Sequence, residues 1–432
     1  MSHRAKLYAT LPRINSVVCV NLLLASIPMR ATTVSGGVSR SGVSEHTLRL
    51  GVALIVLALQ FEGMLGLAWD IQWHISVGRD RFWTPPHILL YTATAFRGLL
   101  AVAIVLWETW RFRNRSGVSE RNSVPVFRIF HAPIGIVLVG FGALVTALAA
   151  PLDDYWHKLY GVDVTLWAPF HMMGTLGGFL ANLGSIYLWA SLVVARDREG
   201  SGAFHRVRQG FAPWTFERVC LAVSFMFMVG QMLTLSWPAQ IEFPTLWMGT
   251  VPVMLYPVLL AVGMPWLFVA AGDTFGARGA ASVIALVLLV REVLVQAFVP
   301  WAVHAGAAAE GLPFRTPALE PHFNVGPLVF NGGLLVAAIV ADVSAHVAKR
   351  GGKEYPALRG LVLGLPLFLL AVWVCNEIWS MLNRAALPAE FPISTPPSSA
   401  AIWAALPVTL AVAALSGWIG GGLSQVWRRS AR

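Results

Sequence analysis

The chain has 432 residues, 56% of them hydrophobic and only 12% charged, with a mean hydropathy of +0.66. That balance excludes a soluble globular domain and a disordered polyelectrolyte, and describes an all-α protein: a polytopic transmembrane helical bundle. The net charge of +10 could suggest nucleic acid, but Lys and Arg fall mainly in alternate loops between apolar runs. Such a distribution reflects membrane orientation, so the expected partner is the lipid bilayer and no nucleic acid.

Residues 1–46 carry a short apolar stretch, Val17 to Met29, and then a Ser/Gly/Thr-rich run. They read as a flexible, uncleaved cytoplasmic segment, because removal of a signal peptide would bring the first true span in from the wrong side for the loop charges. Apolar runs long enough to cross a bilayer follow at about 48–69, 86–107, 129–151, 168–195, 216–237, 247–271, 279–303, 324–346, 358–382 and 401–421. They predict about ten spans built from repeated helical hairpins, grouped as a four-span unit over 47–195 and a six-span unit over 196–432. The basic loops around Arg111 to Arg121, Arg196 to Arg208 and Lys349 to Lys353, with Arg428, Arg429 and Arg432, belong to the cytoplasm by the positive-inside rule. Both termini then lie inside a cell (inner) membrane, and the intervening loops face the periplasm or the exterior. Cys19, Cys220 and Cys375 lie far apart and read as small apolar fillers, with no disulfide framework or thiolate metal site.

The first hairpin carries the most informative stretch, and the second repeats it. Aligned on their first histidines, residues 70–87 and 153–171 share Asp70/Asp153, Trp73/Trp156, His74/His157, Gly78/Gly161, Asp80/Asp163, Trp83/Trp167, Pro85/Pro169 and His87/His171. An acid four residues before a histidine shares its helical face, one turn away. A second histidine just after the proline that opens the next helix can return to the same point. Two imidazoles and a carboxylate at a membrane boundary form a metal site suited to copper, zinc or iron. Asp70, His74 and His87, and Asp153, His157 and His171, are the expected ligands. Asp80, Asp163, Trp73 and Trp156 are candidates for orienting them from behind.

Within the spans, Glu62 and Arg97 are expected to pair beneath the first site, since an ionisable group inside a membrane turns toward a partner or a polar cavity. Gly174, Gly177 and Gly178 should let the fourth helix approach a neighbour closely. Later hairpins keep only fragments of the pattern: Trp237 and Trp247 without a histidine, Asn376-Glu377-Ile378-Trp379-Ser380 with serine in the histidine position, and His304 with Glu320-Pro321-His322 as a weaker third site of altered spacing. Arg291, Glu292, Asp342 and Glu377 read as fastening groups of the second set of helices.

At its two complete stretches the chain resembles the copper-dependent membrane monooxygenases, particulate methane monooxygenase and ammonia monooxygenase, and specifically their C subunit. That family shows an Asp-x3-His-x12-His set followed by an Asn-x3-His-x13-His set. Asp70, His74 and His87 have the first spacing and Asp153, His157 and His171 the second, with Trp73-His74, Arg79-Asp80, Thr84-Pro85 and Ala168-Pro169 agreeing in the flanks. The likeness covers about residues 60–180. It implies two copper sites within the membrane, oxygen activation for hydroxylation of a small apolar substrate, and A- and B-like partner subunits. Asp153 replaces the family's asparagine, the later spans have no counterpart in a C subunit, and no stretch looks like the B subunit's soluble copper-binding domains. A membrane metal (copper) transporter or metal-handling protein, a homo-oligomer included, uses the same ligands without oxygen chemistry. No phosphate-binding glycine loop points to an ATP-driven pump.

Overall fold

A computed structural model describes residues 45–78, 81–114, 123–161, 165–199, 212–350, 355–382 and 393–430. The helices are α1 (Glu45–Ser76), α2 (Pro85–Arg113), α3 (Ile134–Tyr160), α4 (Pro169–Glu199), α5 (Phe216–Ser236), the short α6 (Pro238–Ile241), α7 (Leu255–Thr274), α8 (Ala280–Glu310), α9 (Gly326–Arg350), α10 (Pro356–Leu382) and α11 (Ser399–Ser430). With α5 and α6 counted as one, ten of these are long and apolar enough to cross a membrane, so the chain is a multi-pass helical membrane protein. The proposed N-terminal tail and Cys19 lie outside the described residues, while Cys220 and Cys375 are buried free thiols.

Two spans begin later than their apolar runs. Residues 124–132 form an antiparallel hairpin, β1 (Val124–Val126) with β2 (Phe130–Ala132), whose turn holds Phe127 and Arg128 at φ of 50° and 61°. Residues 245–254 form a second, β3 (Thr245–Met248) with β4 (Val251–Met254), turning at Gly249 with φ +66°. Short apolar runs rich in β-branched residues suit a strand as well as a helix, and turn chemistry decides between them. At the other extreme α1 continues through the polar residues 70–76, so Asp70 and His74 are helical residues.

Close packing sets the first four helices. Gly135 and Gly142 of α3 face Gly184 and Gly177 of α4, and a Cβ on Gly177 would stand 2.6 Å from the Gly142 carbonyl oxygen. Gly66 of α1 likewise lies against the backbone of α2 at Leu90. The remaining helices join the same compact unit, tied at the end opposite the histidines by two buried ion pairs. Arg218 reaches both Asp197 oxygens at 2.7 and 2.8 Å, and Arg359 meets Asp273 at 2.7 Å.

The expected fastening groups divide by role. Asp342 of α9 accepts from Ala281 N, Ser282 N and Ser282 Oγ, capping α8 from a neighbouring helix. Arg291 pairs with its neighbour Glu292 at 2.7 Å, whereas Glu377 is exposed.

Candidate metal centres

Helix alternation brings the C-terminal ends of α1 and α3 and the N-terminal starts of α2 and α4 to one end of the bundle. The local reasons are the same in both hairpins. Gly78 and Gly161 end their helices at φ +73° and +87°, a region glycine occupies without a Cβ clash. Pro85 and Pro169 then open the next helices with a ring whose fixed φ suits a first turn.

In the first hairpin His87 Nε2 lies 3.1 Å and His74 Nδ1 3.7 Å from Asp70 Oδ1. In the second, His171 Nε2 and His157 Nε2 lie 3.4 and 3.9 Å from Asp153 Oδ2. Each triad offers three ligand atoms all within 4.8 Å of one another. Two nitrogens on one ion stand at most about 4.2 Å apart, twice a bond of ~2.1 Å, so a shift of tenths of an ångström closes either set on a metal. The side chains are largely shielded, from 8% exposed for His157 to 22% for His171.

Backbone carbonyls decide which imidazole nitrogen is available. His87 Nδ1 lies 3.1 Å from Arg81 O, His171 Nδ1 2.8 Å from Thr165 O, and His74 Nδ1 3.0 Å from Asp70 O. A carbonyl only accepts, so each Nδ1 carries the proton and donates it. In neutral His87 and His171 the Nε2 lone pair therefore points at a carboxylate oxygen, an arrangement relieved by a cation between them: a shared metal ion, or a proton on the ring. Asp153 Oδ1 is in addition buried and accepts no hydrogen bond. The donor set and its geometry fit a divalent or monovalent transition metal.

Neither carbonyl was singled out by sequence reasoning, although each precedes its histidine by six residues. Their residues also tie the triads to the later helices: Arg81 donates to Glu310 of α8, and the Thr165 hydroxyl to Glu242 just beyond α6.

Trp73 is fully buried in an apolar cluster with Val77, Val295, Val299 and Val303. Trp156 packs on Tyr160 and Phe170, with ring centroids 4.3 and 5.8 Å away. Asp80 and Asp163 lie outside the described residues. His304 Nε2 is 3.1 Å from Pro321 O and 3.8 Å from Glu320, and His322 Nδ1 is 3.2 Å from Glu320 O. Among the described residues three ligand groups converge only at the two triads, so His304 and His322 do not complete a third cluster.

Asp70, His74 and His87 of the first triad and Asp153 and His171 of the second line one cavity of about 1080 Å³ between the helices. Its deeper wall is polar where sequence reasoning offered only an ion pair. Glu62 and Arg97 do not meet: Thr92 Oγ1 donates to Glu62 at 2.6 Å, while Arg97 turns to Ala93 O and Thr94 Oγ1. Gln60, Asn182 and Gln231, single amides on three helices, form a connected chain beside it.

No protein-family model, curated protein or solved structure matches the chain.

Proposed function

We propose that this chain is the copper-binding integral membrane subunit of a monooxygenase-like enzyme, activating oxygen for hydroxylation of a small apolar substrate in company with A- and B-like subunits. The observation that carries the proposal is the duplicated triad: twice, a carboxylate and two imidazoles converge within 4.8 Å, on the residues whose spacing resembles the C subunits. The donor set admits copper, zinc or iron, and the resemblance selects copper.

His74 and His87 with Asp70, and His157 and His171 with Asp153, would hold the ions. Bound copper would supply the reduction and activation of oxygen. The chain's own residues do the rest. The Arg81 and Thr165 carbonyls orient the ligand rings, and Asp70 and Asp153 balance positive charge. Phe82, Trp83 and Tyr91, with ring centroids 4.9 to 6.0 Å apart, and Phe170 in the second hairpin give the ligands an aromatic flank on the cavity wall. The positive-inside rule puts this end of the bundle on the periplasmic or exterior face, with both termini in the cytoplasm.

The second reading, a copper transporter, is favoured by the polar groups that continue down the cavity from the triads: Arg97, Gln60, Asn182, Gln231, Arg291 and Glu292. Sealed native membrane vesicles that hold the copper-loaded chain together with its partner subunits, supplied with a reductant, separate the two. Oxygen uptake that disappears in the double variant His74→Ala/His157→Ala supports the oxygenase. Copper accumulating inside the vesicles without oxygen uptake overturns it in favour of transport.

A further inference from the structure

Below the triads the cavity changes character, and its centre is Arg97. This residue of α2 is 7% exposed and lines the cavity wall. Its guanidinium offers five N–H donors. Nε donates to Ala93 O at 3.1 Å and Nη2 to Thr94 Oγ1 at 3.3 Å, and among the described residues no carboxylate forms an ion pair with it. The edge carrying Nη1 is therefore left for an occupant. Glu62 acts on this charge only from beyond contact, its carboxylate being taken by Thr92, and a buried cation with an open donor edge marks a site where a polar ligand meets it.

A chain of amides beside it sets the polarity of the neighbouring wall. Gln231 Nε2 donates to Thr175 O at 2.6 Å, and because a carbonyl only accepts, the direction of the whole amide chain is fixed. Asn182 Nδ2 must donate to Gln231 Oε1 at 2.5 Å, and Gln60 Nε2 to Asn182 Oδ1 at 2.6 Å. The chain ends on Gln60 Oε1, which is buried with no hydrogen-bond partner. One turn further along α1, Gly63 has no side chain; a Cβ there would meet Arg97 Nη2 at 3.5 Å.

Charge and shape then narrow the ligand. The other cation on this wall, Arg291, is neutralised by Glu292 at 2.7 Å and packs on Met64 Sδ at 3.0 Å. A guanidinium with no carboxylate in contact and its Nη1 edge open to the cavity matches a group with two oxygen acceptors, such as a carboxylate. Between these polar groups the wall is apolar at Met64, Leu67, Leu90, Phe227 and Val295, and the volume far exceeds a bare headgroup. We propose that Arg97 anchors a ligand site in the floor of this cavity for a carboxylate carrying an apolar chain, about 10 Å along α1 from Asp70 at 1.5 Å per residue. The site goes beyond the metal reading and does not depend on it.

The test uses the full chain in phosphatidylcholine nanodiscs and radiolabelled octanoate, with retention by empty nanodiscs subtracted. Octanoate binds saturably at one per chain, and octanol, with the same tail and no charge, displaces it at least tenfold less well. Arg97→Gln weakens octanoate binding at least tenfold. Absence of saturable binding, octanol competing as well as octanoate, or wild-type affinity in Arg97→Gln overturns the proposal. The octanol comparison needs only the wild-type chain, so it decides the matter even where the variant does not fold.

Discussion

Gly177→Ala tests whether the packing of α3 on α4 sets the geometry of the second triad. A Cβ at this position meets Thr146 Oγ1 and stands 2.6 Å from Gly142 O and 2.7 Å from Thr146 N, where ordinary contact begins at 3.4 Å. Two of the three obstacles are backbone, so rotamer changes cannot absorb the added methyl and the helices must part by about 0.8 Å, the shortfall from ordinary contact. Overpacking of this kind costs about 1–3 kcal/mol. The opening is felt where α3 contributes Asp153 and His157 and α4 contributes His171. Their closest contact, now 3.4 Å between His171 Nε2 and Asp153 Oδ2, lengthens toward 4 Å, and about 1.4 kcal/mol lost there is a factor of ten in affinity. Chelator titration of metal-loaded protein, read by metal analysis, should show one of two ions released at roughly tenfold lower chelator. The first triad, on α1 and α2, should keep its ion. Gly174→Ala is the control, because its Cβ meets only Ala149 Cβ at 3.7 Å, and it should behave as wild type. Equal metal release in Gly177→Ala and Gly174→Ala would refute the link between helix spacing and site geometry.

Asp153→Asn keeps the shape of the second triad and removes its charge; it should hold its metal about tenfold more weakly without a fall in Tm, which chelator titration beside thermal unfolding checks. Arg359→Met strands the Asp273 carboxylate, its side chain 8% exposed, and should destabilise the protein by about 3–5 kcal/mol, while Arg359→Met with Asp273→Leu should recover most of the loss. Asp342→Ala removes three hydrogen bonds at the start of α8 and should cost about 0.5–2 kcal/mol in unfolding free energy with metal content unchanged. His131, stacked on Phe112 with centroids 3.7 Å apart, has its pKa lowered by burial and then by Arg113. Because the folded state binds this proton less readily than the unfolded chain, its contribution to stability is present above the unfolded pKa and lost as pH falls below it. Denaturation from neutral to mildly acidic pH should therefore show a shallower pH dependence in His131→Phe than in wild type.

The triads were legible because both determinants are local: a four-residue offset fixes Asp70 over His74, and a proline fixes where His87 returns. The ten spans were legible from length and hydropathy alone. The hairpins at 124–132 and 245–254 were not, since apolar composition is silent on whether a short run turns back on itself. Glu62 and Arg97 misled for a different reason: complementary charge is visible in a sequence, but the Thr92 hydroxyl that takes Glu62 is an ordinary helical threonine. The amide chain of Gln60, Asn182 and Gln231 spans three helices, so no periodicity or spacing could reveal it. The carbonyl anchors at Arg81 and Thr165 were within reach, because the two copies align residue for residue on the histidines they hold.

Metal analysis of the purified, metal-loaded chain tests the central claim most directly. Two triads predict two ions per chain in the wild type, one in His74→Ala, one in His157→Ala and none in the double variant. A double variant that retains the wild-type metal content would contradict the account.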